Sequence, residues 1–238
     1  MKKKNIVAII PARSGSKGLT GKNIKSIFGK SLLERNIELL KNIDKIDRII
    51  ISTDSQEYAN IAVKSGAEAL FLRPKELSSD YATTEDTLKH TLLWLKENEN
   101  YTVDIVVFQQ VNDLFKKQEW VEECINSLLD DEELDSAFVA EVIHKNFWIE
   151  KDGKFVRLSN TGHIARQLKQ PLYREDTGLA SATRARLLTD ENRRIGDNVK
   201  IIPHEQFCVD IHTDFDFKVA ELIAQNFEEY MEILKNGK

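Results

Sequence analysis

Arg13, Lys17 and Lys22 interleave with Gly15, Gly18 and Gly21 directly behind the apolar run from Ile6 to Ile10. Glycine tolerates positive φ and close backbone approach, so successive N–H groups in such a loop can turn inward as an anion nest. With the cations in the same concavity, the loop suits a polyanion such as a nucleoside triphosphate. Spacing excludes two better-known phosphate loops. A Walker loop requires Gly at position 16 and Ser or Thr at position 23, where this chain has Ser16 and Asn23. The dinucleotide loop requires G-x-G-x-x-G, whereas these glycines fall as G-x-x-G-x-x-G, with no early acidic residue to meet a ribose. Towards the other end, Asp210 and His212 alternate within the stretch Phe207 to Thr213. A strand there would put both on one face at a spacing that suits a metal. A histidine near a strand end also serves as a hydrogen-bonded structural residue.

The elements that must position these residues follow from pattern. The β-branched run closed by Pro11 reads as a buried strand that delivers the basic loop at its carboxyl end, the edge where open α/β sheets bind ligands. Ser31-Leu32-Leu33-Glu34 is a capping box, with Leu33, Ile37 and Leu40 repeating at helical spacing behind it. Arg48 to Thr53 is a second buried strand. Asp54 then caps a helix carried by Ala59, Ala62 and Val63 and stopped by Gly66. With Ala69 to Leu72 as a short third strand, the opening half reads β-α-β-α-β, the pattern of a parallel sheet with right-handed crossovers. Arg73 to Thr84 is a loop by composition, and Leu88, Leu92 and Leu95 line the helix behind it. In that loop Thr83 and Asp86 make another capping box, and Arg73 taken alone is a surface charge. A fourth strand spans Asp104 to Gln109, a helix Trp120 to Leu129, and a further strand Ser136 to Val142. The Asp152-Gly153 turn joins Trp148–Glu150 to Phe155–Arg157 as a hairpin, and Thr213 caps a last helix through Val219, Leu222 and Ile223.

Composition narrows the class. A chain of 238 residues accommodates one α/β domain spanning 1–238. A net charge of −5 argues against a general nucleic-acid binder and makes the basic loop a local exception. Cys124 and Cys208 are too few for a disulfide framework, and nothing approaches the length of a membrane span, so a cytoplasmic protein with free thiols is expected. Zinc spacing, a nucleophile elbow and internal repeats are all missing, which leaves chemistry by positioning and electrostatics.

The stretch Pro11-Ala12-Arg13-Ser14-Gly15-Ser16-Lys17-Gly18, followed by Gly21-Lys22-Asn23, resembles the signature of the acylneuraminate cytidylyltransferases, and weaker echoes run to the final helix. These enzymes make CMP-sialic acid and its bacterial relatives. The resemblance implies an α/β fold: three layers around a mainly parallel sheet of the nucleotide-diphosphosugar transferase type, with a small protruding hairpin. It makes residues 142–175 a dimerisation and sugar-binding insertion of a homodimer. It also implies that a nonulosonic sugar acid attacks the α-phosphate of CTP through its anomeric hydroxyl, with Mg²⁺ or Mn²⁺ as cofactor and pyrophosphate leaving. By the same resemblance Ala12, Arg13, Ser14, Gly15, Ser16, Lys22 and Asn23 hold the nucleotide. Arg13 and Lys22 would meet phosphates and Asn23 cytosine, while Arg73 and Thr84 fall on positions that touch nucleotide or sugar. Gln109, Arg166, Gln167 and Arg174 fall to the sugar, the two arginines clamping its carboxylate. Asp210 and His212 fall to the metal, and Arg13, Lys22 and Asp210 are the catalytic set.

The chain also departs from that pattern. Relatives read Gln-Pro-Thr-Ser-Pro-Leu-Arg where this chain has Gln109-Gln110-Val111-Asn112-Asp113-Leu114-Phe115. Losing two prolines removes backbone stiffness, and Phe115 in place of arginine removes an anion fork. Asp176-Thr177-Gly178-Leu179-Ala180 stands for Asn-Gly-Ala-Ile-Tyr, and His212 stands for a second aspartate. The sugar half is therefore altered while the nucleotide half is intact. A nucleotidyltransferase of the same fold with another acceptor, and a catalytically weak cytidine-nucleotide-binding relative, are the two alternatives. His163, His212 and Asp210 are the general-base candidates.

Overall fold

The computed structural model describes residues 3–15, 18–158 and 164–226. In chain order its elements are β1 (Ile6–Pro11), β2 (Ser26–Ile27), β3 (Lys30–Ser31), α1 (Leu32–Lys41), β4 (Arg48–Ser52), α2 (Gln56–Ser65), α3 (Thr84–Glu99), β5 (Ile105–Phe108), α4 (Gln118–Asp130), β6 (Ser136–Ile143), β7 (Trp148–Lys151), β8 (Lys154–Arg157), β9 (Leu172–Glu175), β10 (Ser181–Arg184), α5 (Ala185–Glu191), β11 (Val199–His204) and α6 (Asp214–Gln225). Alternation along β1 makes the sheet a middle layer. Ile6, Ala8 and Ile10 enter one core with Leu33, Ile37 and Leu40 of α1, Val121 and Ile125 of α4 and Phe217 of α6. Val7 and Ile9 enter a second core with Leu88, Leu92 and Leu95 of α3 and Leu188 of α5. Each Val, Leu, Ile or Phe side chain so taken from water contributes about 1.5–3 kcal/mol, and both faces of the strand are used.

Among the described residues the main sheet runs β11-β6-β10-β5-β1-β4, with β9 also paired to β6. β1 is parallel to β4 and β5, and β11 to β6, whereas β10 runs antiparallel to both of its neighbours. The expected α/β, mainly parallel sheet is thus present. The carboxyl ends of β1, β4 and β5 lie at one edge, and because β10 is reversed its first residue, Ser181, reaches that edge beside Phe108. The hairpin forms as expected, with Asp152 and Gly153 at φ 52° and 73°, the doubly left-handed turn that suits two-residue hairpins.

Four local expectations need correction. Residues 69–72 make no strand; only single bridges, Ile50 to Glu68 and Thr53 to Leu72, continue beyond β4 at this open edge. Phe207 to Thr213 has no strand running alongside it and makes one bridge, Asp113 to Asp210. Its alternation is nonetheless as expected, since Val209 and Ile211 are buried while Asp210 and His212 face outward. Helix α2 buries Tyr58, Ala59 and Ala62 and leaves Val63 exposed; α6 buries Phe217 and Ala220 and leaves Leu222 exposed. Finally, β11 is a strand that the pattern hid, because Pro203 interrupts it. Its edge position tolerates a residue without an N–H.

Candidate active site

The basic loop leaves β1 under tight control. The Ala12 N–H donates to the Ser52 carbonyl at 3.0 Å, carrying the β1–β4 ladder one residue further. Ser14 then donates from its N–H and its hydroxyl to the two oxygens of Asp54, at 2.8 and 3.1 Å. Asp54 is therefore a loop anchor. The cap of α2 is Ser55, which accepts from the Tyr58 N–H. Gly18 is fixed by close approach: a Cβ there would lie 2.3 Å from the His212 carbonyl oxygen. Gly21 is fixed by its φ of +69°. Gly15 has open space around it, and Ser16 and Lys17 lie outside the described residues.

Three loops and the segment that carries His212 meet around a cleft of about 480 Å³, well within the size range of small-ligand sites. From the first loop come Arg13, Lys22 and Asn23; from the 73–84 loop Arg73, Asp80 and Thr84; from the loop after β5 Gln110 and Asn112. The Lys22 ammonium donates to the Ile211 carbonyl at 2.6 Å. Burial pulls its pKa below the ordinary lysine value, with Asp210 and Asp216 opposing and Arg13 acting in the same sense as burial. Arg13 donates to the Ser79 carbonyl at 3.3 Å and to Asp80 at 3.2 Å. Asn23 is buried; its amide donates to the Arg13 carbonyl, and its own carbonyl accepts from Leu33 at the start of α1.

Arg73 is not the surface charge its loop setting suggests. Its guanidinium is buried, donating to the Ser52 carbonyl at 2.6 Å and to the Thr87 hydroxyl at 3.3 Å, and its Nε meets no hydrogen-bond partner among the described residues. Burial pushes its pKa down to about 10, so it stays charged at neutral pH and backs the cleft with a cation held by neutral oxygens. Thr84 opens α3 and also lines the cleft, while Thr83 and Asp86 form the capping box.

Residues 7–236 match a sequence model of the family described as cytidylyltransferase. The chain belongs to the cytidylyltransferase family. It is 42% identical over 98 residues to the N-acylneuraminate cytidylyltransferase of Escherichia coli O18:K1:H7, a segment covering 41% of this chain and 23% of that protein. It is 27% identical to the post-translational flagellin modification protein B of Campylobacter coli across 92% of this chain and 95% of that one. A CMP:2-keto-3-deoxy-manno-octonic acid synthetase solved with CTP superimposes with a TM-score of 0.70 at 17% identity, over 94% of this chain and all of that one, a likeness of fold. The matched segments therefore span about a quarter of the first of these relatives and nearly all of the second.

Opposite the basic loop, this member of the family has an edge built on different lines. Gln109 does not face the cleft: it is fully buried and donates to Asn36 of α1 at 2.9 Å, because β5 turns its side chain into the core. The amide presented to the cleft is its neighbour, Gln110. Phe115 is buried in the core. Arg174 is exposed and paired at 3.0 Å with both Glu141 and Asp176, so its fork already meets carboxylates. Gln167 is exposed in a short turn, Arg166–Leu168, and the Arg166 side chain and His163 lie outside the described residues. Asp210 and His212 do come together, with His212 Nε2 2.8 Å from one Asp210 oxygen and the Asn112 amide donating to the other. Among the described residues no third His, Cys, Asp or Glu completes a metal-binding group. Both cysteines are free thiols pushed up by burial, Cys208 to about 12, which removes them as nucleophiles.

Sequence reasoning missed Asp54, Asp80, Gln110 and Asn112. For Asp54 a signal existed: Ser55 beside it is an equally good helix cap, which frees the carboxylate at a strand's carboxyl end. The others depend on where loops meet and have no local signature.

Proposed function

We propose that this chain transfers CMP from CTP to a nonulosonic sugar acid and releases pyrophosphate. The observation that carries the reading is the convergence of Arg13, Lys22 and Arg73 on one cleft at the carboxyl edge of the sheet, in a member of the cytidylyltransferase family. The sugar's anomeric oxygen would form a bond to the α-phosphorus and give up its proton to solvent water, and the bond from that phosphorus to the α–β bridging oxygen would break. Its electrons leave with pyrophosphate. Arg13 and Lys22 stabilise charge that grows on the phosphates, Arg73 supports them from behind, and Asn23 meets the base. The names of relatives support the acceptor class: pseudaminic acid cytidylyltransferases of Campylobacter jejuni and a CMP-N,N'-diacetyllegionaminic acid synthase of Legionella pneumophila are among them. Pyrophosphate release from CTP with a panel of such acids tests it; release that is equally fast with UTP or ATP, or absent with every acid, would overturn it.

For a divalent ion the residues fit in part. Mg²⁺ takes one or two carboxylates and completes its shell with substrate phosphate oxygens and water, which Asp210 beside the cleft can serve, whereas imidazole suits Mn²⁺ better. Bound there, the ion would neutralise charge on the triphosphate. Wild-type rates should accordingly be higher with Mn²⁺ than with Mg²⁺, and His212→Asp should raise the rate at limiting Mg²⁺. An unmoved Mg²⁺ curve assigns His212 to structure alone. A homodimer working in the cytoplasm belongs to the same reading, supported by the exposed Trp148 and Phe155 on the β7–β8 hairpin and by the lack, among the described residues, of any helix long and apolar enough to cross a membrane.

A further inference from the structure

Lys116 has no part in the reading above, yet it occupies the junction of the two segments that depart from the family pattern. Its stem keeps some exposure while its ammonium is enclosed. That ammonium donates to the Gly178 carbonyl at 2.6 Å and to the Gln110 carbonyl. These two acceptors lie 62 and 6 residues away in sequence. Between them the loops wall a side pocket of about 160 Å³ that Gln110 and Asn112 share with the main cleft, and Asp210 forms part of the same wall.

The contact is also matched in shape. A Cβ on Gly178 would lie 2.4 Å from Gln110 Oε1 and 3.3 Å from Gln110 Cβ, so the Gln110 side chain lies in the space that glycine leaves open at residue 178. Other contacts tie the loop to its other neighbour: the Ile211 N–H donates to the Asn112 carbonyl at 2.7 Å as part of the Asp113–Asp210 bridge, and the Asn112 amide donates to Asp210. None of these replaces the link to Gly178. A loop without prolines has no intrinsic stiffness, so its shape must come from such cross-links. Buried carbonyls that lost their donor would also have to find another, which favours opening of both loops over a small local adjustment.

We propose that Lys116 is the positioning residue of the acceptor side, stapling the loop after β5 to the segment entering β10 so that Gln110 and Asn112 are held towards the sugar. The assignment of that side to the acceptor rests on the function proposed above; the staple does not. Lys116→Met keeps the length of the stem and removes the donors. Gly178→Ala crowds the same junction from the other segment, where the new Cβ meets the Gln110 side chain, and keeps the proposal testable if the first variant fails to fold. For both, hydrogen–deuterium exchange of the full-length protein should rise in residues 110–115 and 176–180 and stay at the wild-type level in 18–24. The acceptor's KM should rise about tenfold or more with the dissociation constant of CTP within about twofold, a split that general destabilisation does not produce. Unchanged exchange in both variants overturns the staple whatever the substrate. Raised exchange with an unchanged acceptor KM, in an enzyme whose wild type is active, overturns its role towards the acceptor. If wild type makes no CMP-sugar at all, the proposed function falls and the exchange measurement still decides the staple.

Discussion

The loop after β1 and the loop after β5 leave adjacent strands at the same edge of one sheet, yet they are held in opposite ways. In the first, a carboxylate from the neighbouring strand end, Asp54, anchors backbone and hydroxyl of Ser14; Arg13 divides between the Ser79 carbonyl and Asp80, while Lys22 and Arg73 reach carbonyl and hydroxyl oxygens. Such partners orient a positive charge without cancelling it. In the second, the amino group of Lys116 lies under the loop as a cross-link, and the nearby Arg174 is matched by Glu141 and Asp176. Burial raises the Asp113 pKa and lowers that of Lys116, so each is driven towards its neutral form in the same small volume. Positive charge is offered to a ligand on one side of the cleft and absorbed into structure on the other. A polyanion belongs on the first side, and the second is shaped for recognition by hydrogen bonds.

The largest effect that sharpens this contrast is expected at the point where the two sides meet. Asp210→Ala removes the carboxylate that faces both His212 and Asn112, and should lower kcat by roughly 10²–10³-fold. A kcat within twofold of wild type would take Asp210 out of the chemistry. Next in size, Arg13→Ala should weaken CTP binding by about 2–4 kcal/mol in equilibrium titration, as expected for loss of a charged partner of the phosphates. An unchanged dissociation constant would leave Arg13 as no more than a partner of Asp80.

Asp54→Ala tests the anchoring of the first loop without removing any cation. It deletes the acceptor of two Ser14 hydrogen bonds and should weaken CTP by about 1–2 kcal/mol while leaving the acceptor's KM in place. Equal losses towards both substrates would make the anchor a matter of folding. The smallest effect is expected for Arg174→Lys. Because Arg174 is exposed and already paired, the acceptor's KM should change by no more than about threefold. A rise of tenfold or more, with CTP unaffected, would restore Arg174 as a clamp for the acceptor's carboxylate.

What could be read from the chain divides along the same line. The strand Ile6–Pro11, the capping boxes at Ser31 and Thr83, the cap at Thr213 and the hairpin at Asp152-Gly153 were legible because each rests on residues within a few positions of one another. The basic loop was legible because its glycines and cations are contiguous. Asp54 was misassigned because a cap and an anchor look alike in sequence, and only the path of the first loop decides between them. The buried state of Arg73 and the inward turn of Gln109 depend on packing against Thr87 and Asn36, partners 14 and 73 residues away. β11 was hidden by Pro203, which an edge strand accepts and a central one would not. Lys116 carries no motif at all, since its meaning lies in two carbonyls that only the reversed strand β10 brings together.

The central claim is attack at the α-phosphorus of CTP by a sugar acid, and following that phosphorus tests it most directly. Incubated with CTP labelled at the α-phosphate and a nonulosonic acid, the protein should place the label in a nucleotide-sugar of the mass expected for the CMP adduct. With CTP labelled at the γ-phosphate, the label should leave in pyrophosphate. Label from the γ-position appearing in inorganic phosphate or in a phosphorylated sugar, or α-label remaining in CTP with every acid offered, would contradict the account.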